Sequence, residues 1–139
     1  MTIEEIKKNY SEYNDEEKMA LAYLNTTGKN YIFEVDDGFV KATKFIKDGL
    51  IKVRKHPRFS YITKHSHNYL EISYVLSGSV TQILDDKKLT LNEGEILLIS
   101  TSSKHELIPC GENDIMINFM ILPEFFDFLY KMIDDGTIN

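Results

Sequence analysis

One cysteine, Cys110, stands in the 139-residue chain, so no intrachain disulfide and no cysteine-rich metal cluster can form. It sits in the turn-like stretch IPCGEND and reads as an incidental reduced thiol, with no sequence neighbour that would activate it. Long apolar runs are missing too. The longest, EILLIS, is strand-sized, and MTIEEIKKNYSEYNDEE is too polar to open a secretory signal. A soluble, cytoplasmic chain without membrane contact is the resulting expectation. Positive charge is also in short supply: 16 Lys and Arg against 22 Asp and Glu leave a net charge of −6. The densest basic stretch, KVRKHPR (52–58), is short and has acidic flanks, so the chain is not expected to grip DNA unaided. No G-x-S-x-G elbow, Walker loop, dinucleotide-binding fingerprint or H-E-x-x-H helix occurs, and no catalytic residue is assigned.

What is present suits a single domain. A hydrophobic content of 42%, with eight Tyr and eight Phe, is enough for one ordinary core. Residues 1–30 read as helical. Thr2 with Glu5, and Asn14 with Glu17, repeat one capping pattern, and Gly28 ends the segment. Ile3, Ile6, Tyr10 and Tyr13 give the first helix an apolar face. Over 31–122 the texture changes to short runs rich in Val, Ile, Phe, Tyr and Thr. DDG, KDG, SGS, DDK, NEG and CGEND punctuate them, predicting an antiparallel sandwich or barrel. Strands are expected at 31–35, 39–46, 50–55, 58–63, 69–76, 79–85, 88–91, 95–100, 105–109 and 114–121. Over 123–139 the period is helical again. Phe125, Phe126, Leu129, Met132 and Ile133 share one face, with Phe128 and Tyr130 widening the apolar arc. That arc suits either packing on the barrel or contact with a second subunit or a following domain.

Two of the four histidines fall in HSHNYLE, at 65–71. In extended backbone His65, His67 and Glu71 share parity and project from one face. Two imidazoles and a carboxylate are a usable ligand set for Zn, Mn, Fe or Ni, and His105, opening a later strand, is the best further donor. The same grouping also reads as a metal-free hydrogen-bond network. His56, in HPR, is expected to be a solvated turn residue.

His65-x-His67-x-x-x-Glu71, six residues and Gly78 resemble the first motif of the cupins. Gly94, five residues, Ser100-x-Ser102, two residues and His105 resemble the frame of the second. Phe59 stands where the first motif begins with Gly, while Ser100, Ser102 and Pro109 replace the second motif's Pro, Gly and Asn. These departures alter the loop presenting His105. The resemblance implies a mainly β fold, a double-stranded β-barrel or jelly roll, flanked by N-terminal helices and a C-terminal amphipathic helix. It also implies a metal site at His65, His67, Glu71 and His105.

HNYLEISYVLSGSV, LTLNEGEILLIS, His105 and the strand running into LPEFFDFLY resemble, over about residues 60–130, the sensor half of AraC-type transcription regulators. That likeness implies a barrel binding a small-molecule effector, with His65, His67, Glu71, Ser73, Val75 and His105 at the ligand. It further implies a homodimer through the C-terminal helix, and DNA contact only through a helix-turn-helix domain outside this chain. No cofactor is then required. The other expectation is a stand-alone metal-dependent cupin enzyme, such as an isomerase, epimerase or dioxygenase.

Overall fold

A computed structural model describes residues 1–136. Two helices open the chain, α1 (Ile3–Ser11) and α2 (Asp15–Thr27). Both begin with a complete capping box: Thr2 with Glu5, and Asn14 with Glu17. In each, two amide donors that a helix N-terminus leaves unpaired find side-chain acceptors. Gly28 closes α2 in the left-handed region at φ 73°.

Ten strands follow: β1 (Tyr31–Phe33), β2 (Phe39–Val40), β3 (Ile51–Lys55), β4 (Ser60–His67), β5 (Leu70–Ser77), β6 (Ser79–Leu84), β7 (Lys87–Asn92), β8 (Ile96–Ile99), β9 (His105–Leu107) and β10 (Ile115–Ile121). They form two sheets. One runs β1-β4-β9-β6-β7, with β2 also on β4, and the other runs β3-β10-β5-β8. The pairing is antiparallel except where β1 and β2 join β4. This is the expected mainly β jelly roll with helices at both ends.

Facing strands alternate, so their inward residues fall in layers. At one end Val40, Ala42, Ile46, Tyr69 and Met120 form an apolar cluster; at the other, Val75, Val80, Leu91, Leu107 and Met116 form a second. Between them the inward positions are polar. On β5, Glu71 and Ser73 separate Tyr69 from Val75, and on β10, Asn118 separates Met120 from Met116. A buried polar layer inside an apolar barrel is where a site would be built.

Several expected boundaries move. The strand predicted at 39–46 stops after Val40, and Ala42–Lys44 coil into a 3-10 turn, because Asn68 Oδ1 accepts from Ala42 N at 2.6 Å. The turn carries Ala42 and Ile46 over the barrel end, and alternation alone does not distinguish that from a strand. HSHNYLE is not one strand: His65 and His67 end β4, and Glu71 is the second residue of β5, across a bend at Asn68–Tyr69.

The segment Glu124–Asp134 is α3, with Phe125, Leu129 and Met132 half-buried and Phe126, Phe128, Tyr130 and Ile133 exposed. The expected shared face therefore divides into a three-residue packing seam and an open apolar arc. Residues 137–139 of the predicted 123–139 segment lie outside the described residues. Among the described residues, no helix is long and apolar enough to cross a membrane.

The N-terminal helices are fixed by charge as well as by packing. Glu17 is fully buried, and both Arg58 and Lys55 pair with it. Arg58, itself fully buried, also donates to the carbonyls of Ser11 and Glu112. Burial pushes the Cys110 thiol up to about 12, consistent with an inert side chain.

Candidate functional site

The histidines face inward because of a local irregularity. Ile62 on β4 pairs with Leu107, but His65 pairs with His105, so three steps on β4 meet two on β9. This β-bulge reverses the alternation: Ser60 is inward before it, His65 and His67 after it. Without the extra residue both imidazoles would lie on the outer surface.

His67, Glu71 and His105 converge. Glu71 Oε2 lies 3.9 Å from His67 Nε2 and 3.9 Å from His105 Nε2, and all three residues are buried. These gaps are too long for hydrogen bonds. They are close to the spacing two ligand atoms take around one ion, about 3.4 Å for tetrahedral bonds near 2.1 Å.

The tautomers fit as well. Nδ1 of His67 donates to the Tyr69 carbonyl at 2.7 Å, and Nδ1 of His105 donates to Gln82 Oε1 at 3.2 Å. Each Nε2 is thereby left as a lone pair, and neither finds a hydrogen-bond partner among the described residues. The orphaned nitrogens and the carboxylate suit Zn, Mn, Fe or Ni. His65 stands apart from this cluster of ligand atoms. Its ring packs on His105, centroids 4.3 Å apart, and its Nδ1 donates to the Thr63 carbonyl.

Burial sets the protonation states. It lowers His67 to about 4 and His105 to about 2, the neighbouring imidazoles adding to the effect, and it lowers His65 as well. It raises Glu71 to about 7, with Arg54 working weakly the other way. Neutral imidazoles are the form that binds metal.

Beside this cluster lies a cavity of about 370 Å³, within the range of small-molecule sites. Phe33, Val35, Val40, Phe45 and Met120 form its apolar wall; His65, Glu71, His56 and Asn118 are its buried polar members, and Lys44 and Arg54 stand where it meets solvent. His67 and His105 lie behind the wall. Ser73 and Val75 do not line it: Ser73 Oγ donates to Asn118 Oδ1 at 2.9 Å, and Val75 packs in the distal apolar cluster.

His56 corrects an expectation. It is 4% exposed, not solvated, because its N–H donates to the Met116 carbonyl and turns the ring inward beside β10. Burial lowers its pKa to about 4, so the ring is neutral. Three contributors escaped the motif reading: Arg54, Asn118 and Gln82. Asn118 was visible as the lone amide in IMINFMI, and Gln82 as an inward position of SVTQIL; Arg54 carried no such signal.

A family model described as "Cupin domain" matches residues 53–121. No curated protein matches the chain. Solved structures similar to it include a cupin protein from Bacteroides fragilis at 21% identity, covering 52% of this chain and 64% of that one, with a TM-score of 0.44. KdgF from Halomonas sp. has 21% identity, with 51% and 66% covered and a TM-score of 0.45. A predicted oxalate decarboxylase from Thermotoga maritima has 23% identity, with 52% and 64% covered and a TM-score of 0.43. The match thus spans less than two thirds of the length of the Bacteroides and Thermotoga proteins.

Proposed function

We propose that the chain, whose residues 53–121 match a cupin-domain model, is a small-molecule-sensing domain of the kind found in AraC-type transcription regulators. The observation that carries this reading is the cavity, because its wall connects to the helix that follows the barrel. Met120 lines it, Leu122 packs against the same apolar cluster, and the Leu122 carbonyl accepts from Phe125 N in the first turn of α3. An effector that displaces Met120 favours one placement of α3 over another, which is a population shift. The exposed arc of Phe126, Phe128, Tyr130 and Ile133 then suits a second copy of the chain, and DNA is contacted by a domain outside it.

The test is a thermal-shift screen of small molecules against the protein and its Val35→Phe variant, which fills the cavity. Ligands that stabilise the first and not the second support the reading. Ligands indifferent to the substitution act elsewhere and sink it.

A second reading, a metal-dependent cupin enzyme, is favoured by the orphaned Nε2 atoms of His67 and His105 facing Glu71. When bound there, a divalent ion would supply Lewis-acid chemistry. Glu71, whose pKa burial raises in the ion's absence, would bind such an ion as the carboxylate, while Phe33, Phe45 and Met120 exclude water. Elemental analysis after purification without chelator decides it. Close to one metal per chain, lost in His105→Ala, supports the enzyme reading; below about a tenth of a metal per chain excludes a tight site.

A further inference from the structure

We propose that the cavity selects a small carboxylic acid, its carboxylate held by Arg54 and His56 and its body lying among Phe33, Val40, Phe45 and Met120. This rests on the cavity being a ligand site and adds the class of ligand.

The argument begins with the register of β3. Arg54 pairs with Asn118 of β10, and His56 N donates to the Met116 carbonyl. Asn118 and Met116 are inward positions, so Arg54 and His56 share the inward parity, roughly 7 Å apart along the strand. Both line the cavity.

Each has unused hydrogen-bonding capacity. Arg54 gives only Nη2 away, to Glu16 Oε1 at 2.9 Å; its Nε and Nη1 make no hydrogen bond among the described residues. Its guanidinium lies 4.0 Å over the Phe45 ring, which holds the plane in place. The second N–H of Nη2, with the Nε or the Nη1 N–H beside it, leaves one planar donor edge, the geometry that matches a carboxylate. His56 is buried, and its Nε2 has no partner. A ligand oxygen would satisfy both groups.

The other charges at the cavity are mixed: Glu16 is taken up by Arg54, Glu71 faces the His67–His105 end, and Lys44 is left over on the open side. Lys44 Nζ lies 5.3 Å from the Phe33 ring and 5.4 Å from the Phe45 ring, with no carboxylate in ion-pair range among the described residues. Lys55 is committed to Glu17. On the open side, where Glu16 is already paired with Arg54, a cationic ligand would meet Arg54 and Lys44 together. A sugar would strand hydroxyls against the apolar wall, where each unpaired polar group is penalised. The neutral amide at hand, Asn118, already accepts from Ser73. Size narrows the class further. A space of 370 Å³ equals about a dozen waters of liquid volume, which suits one ring or a short branched chain with its acid group.

The experiment is calorimetric titration of the full chain, stripped of metal with EDTA, using benzoate and its neutral isostere benzamide. Stripping removes direct binding of the acid to an ion. The expected result is benzoate tighter than benzamide by about tenfold or more, with the preference abolished in Arg54→Gln and partly kept in Arg54→Lys. Circular dichroism confirms that each variant is folded, and if Arg54→Gln is not, His56→Gln, expected to weaken benzoate and not benzamide, takes its place.

Equal affinity for acid and amide overturns the carboxylate assignment and leaves the ligand cavity standing. Binding of neither up to about 10 mM also overturns it, and the cavity then stands only on neutral ligands from the thermal-shift screen.

Discussion

Replacing Glu17 with Gln removes one charge and almost no volume, and it should unfold this protein more readily than any surface change. Glu17 is fully buried beneath two cations, Arg58 with no exposure and Lys55 with 8% of its side chain exposed. The amide leaves Arg58 as a buried charge without a counterion, which costs about 3–5 kcal/mol.

A second route gives a similar figure. Burial works to raise the Glu17 pKa, but hydrogen bonds from Arg58 and Lys55 outweigh it and hold the carboxyl at about 2, against 4.5 unperturbed. A gap of that size is worth about 3 kcal/mol at neutral pH. The folded pKa is depressed, so this stability is complete above about pH 4.5 and is lost as pH falls towards 2. His56 is depressed too, but as a base: the unfolded chain takes up its proton first, and stability drains between pH 6.5 and about 4.

Urea unfolding of wild type and Glu17→Gln, from pH 7 to pH 3, separates the two. The expected difference is about 3 kcal/mol at pH 7, shrinking below pH 4.5; the His56 window begins at the same pH in both proteins and reaches lower in the variant, which lacks the Glu17 charge that raises His56. In an Arg58→Met background the Glu17→Gln loss should be smaller, because the stranded charge is gone. A Glu17→Gln difference under about 1 kcal/mol at pH 7, with an unchanged acid profile, would refute the reasoning.

Three further outcomes follow from particular contacts. Phe59 is buried against Tyr13 yet holds a left-handed backbone at φ 69°. Phe59→Gly loses the ring but relieves the strain, whereas Phe59→Ala loses the ring and keeps it, so urea midpoints should rank wild type above Gly above Ala, the last two about 1 kcal/mol apart. Gly78, at φ 70°, would place an added Cβ 2.6 Å from the Asn113 carbonyl oxygen and 2.2 Å from Asp114 Oδ1. Gly78→Ala should therefore lower stability by at least about 2 kcal/mol in thermal unfolding, with the Asp114–Ser79 contact displaced. Gln82→Leu removes the acceptor that fixes His105; competition with a chromophoric chelator should show metal affinity about tenfold to a hundredfold weaker, with the fold retained.

How much of this was legible beforehand depends on how far apart the interacting residues lie. Both capping boxes, the glycine that ends α2 and the alternation of β5 and β6 are interactions or patterns within a few positions, and the sequence carries them in plain view. The motif spacing likewise pointed to a cupin barrel. It did not show that the histidines and Glu71 stand on separate strands, or that a bulge opposite β9 is what turns His65 and His67 inward.

The inward turn of His56 depends on β3 pairing with β10, and the second role of Glu17 on Arg58, 41 positions away. The pinning of His105 depends on β6 lying beside β9. By itself, then, the sequence determined the elements, their caps and the order of inward and outward faces. Tertiary structure decided which polar groups lost water and met one another. Burial and partnership between distant segments arise only from packing, and it is they that set the charge states at the barrel's centre.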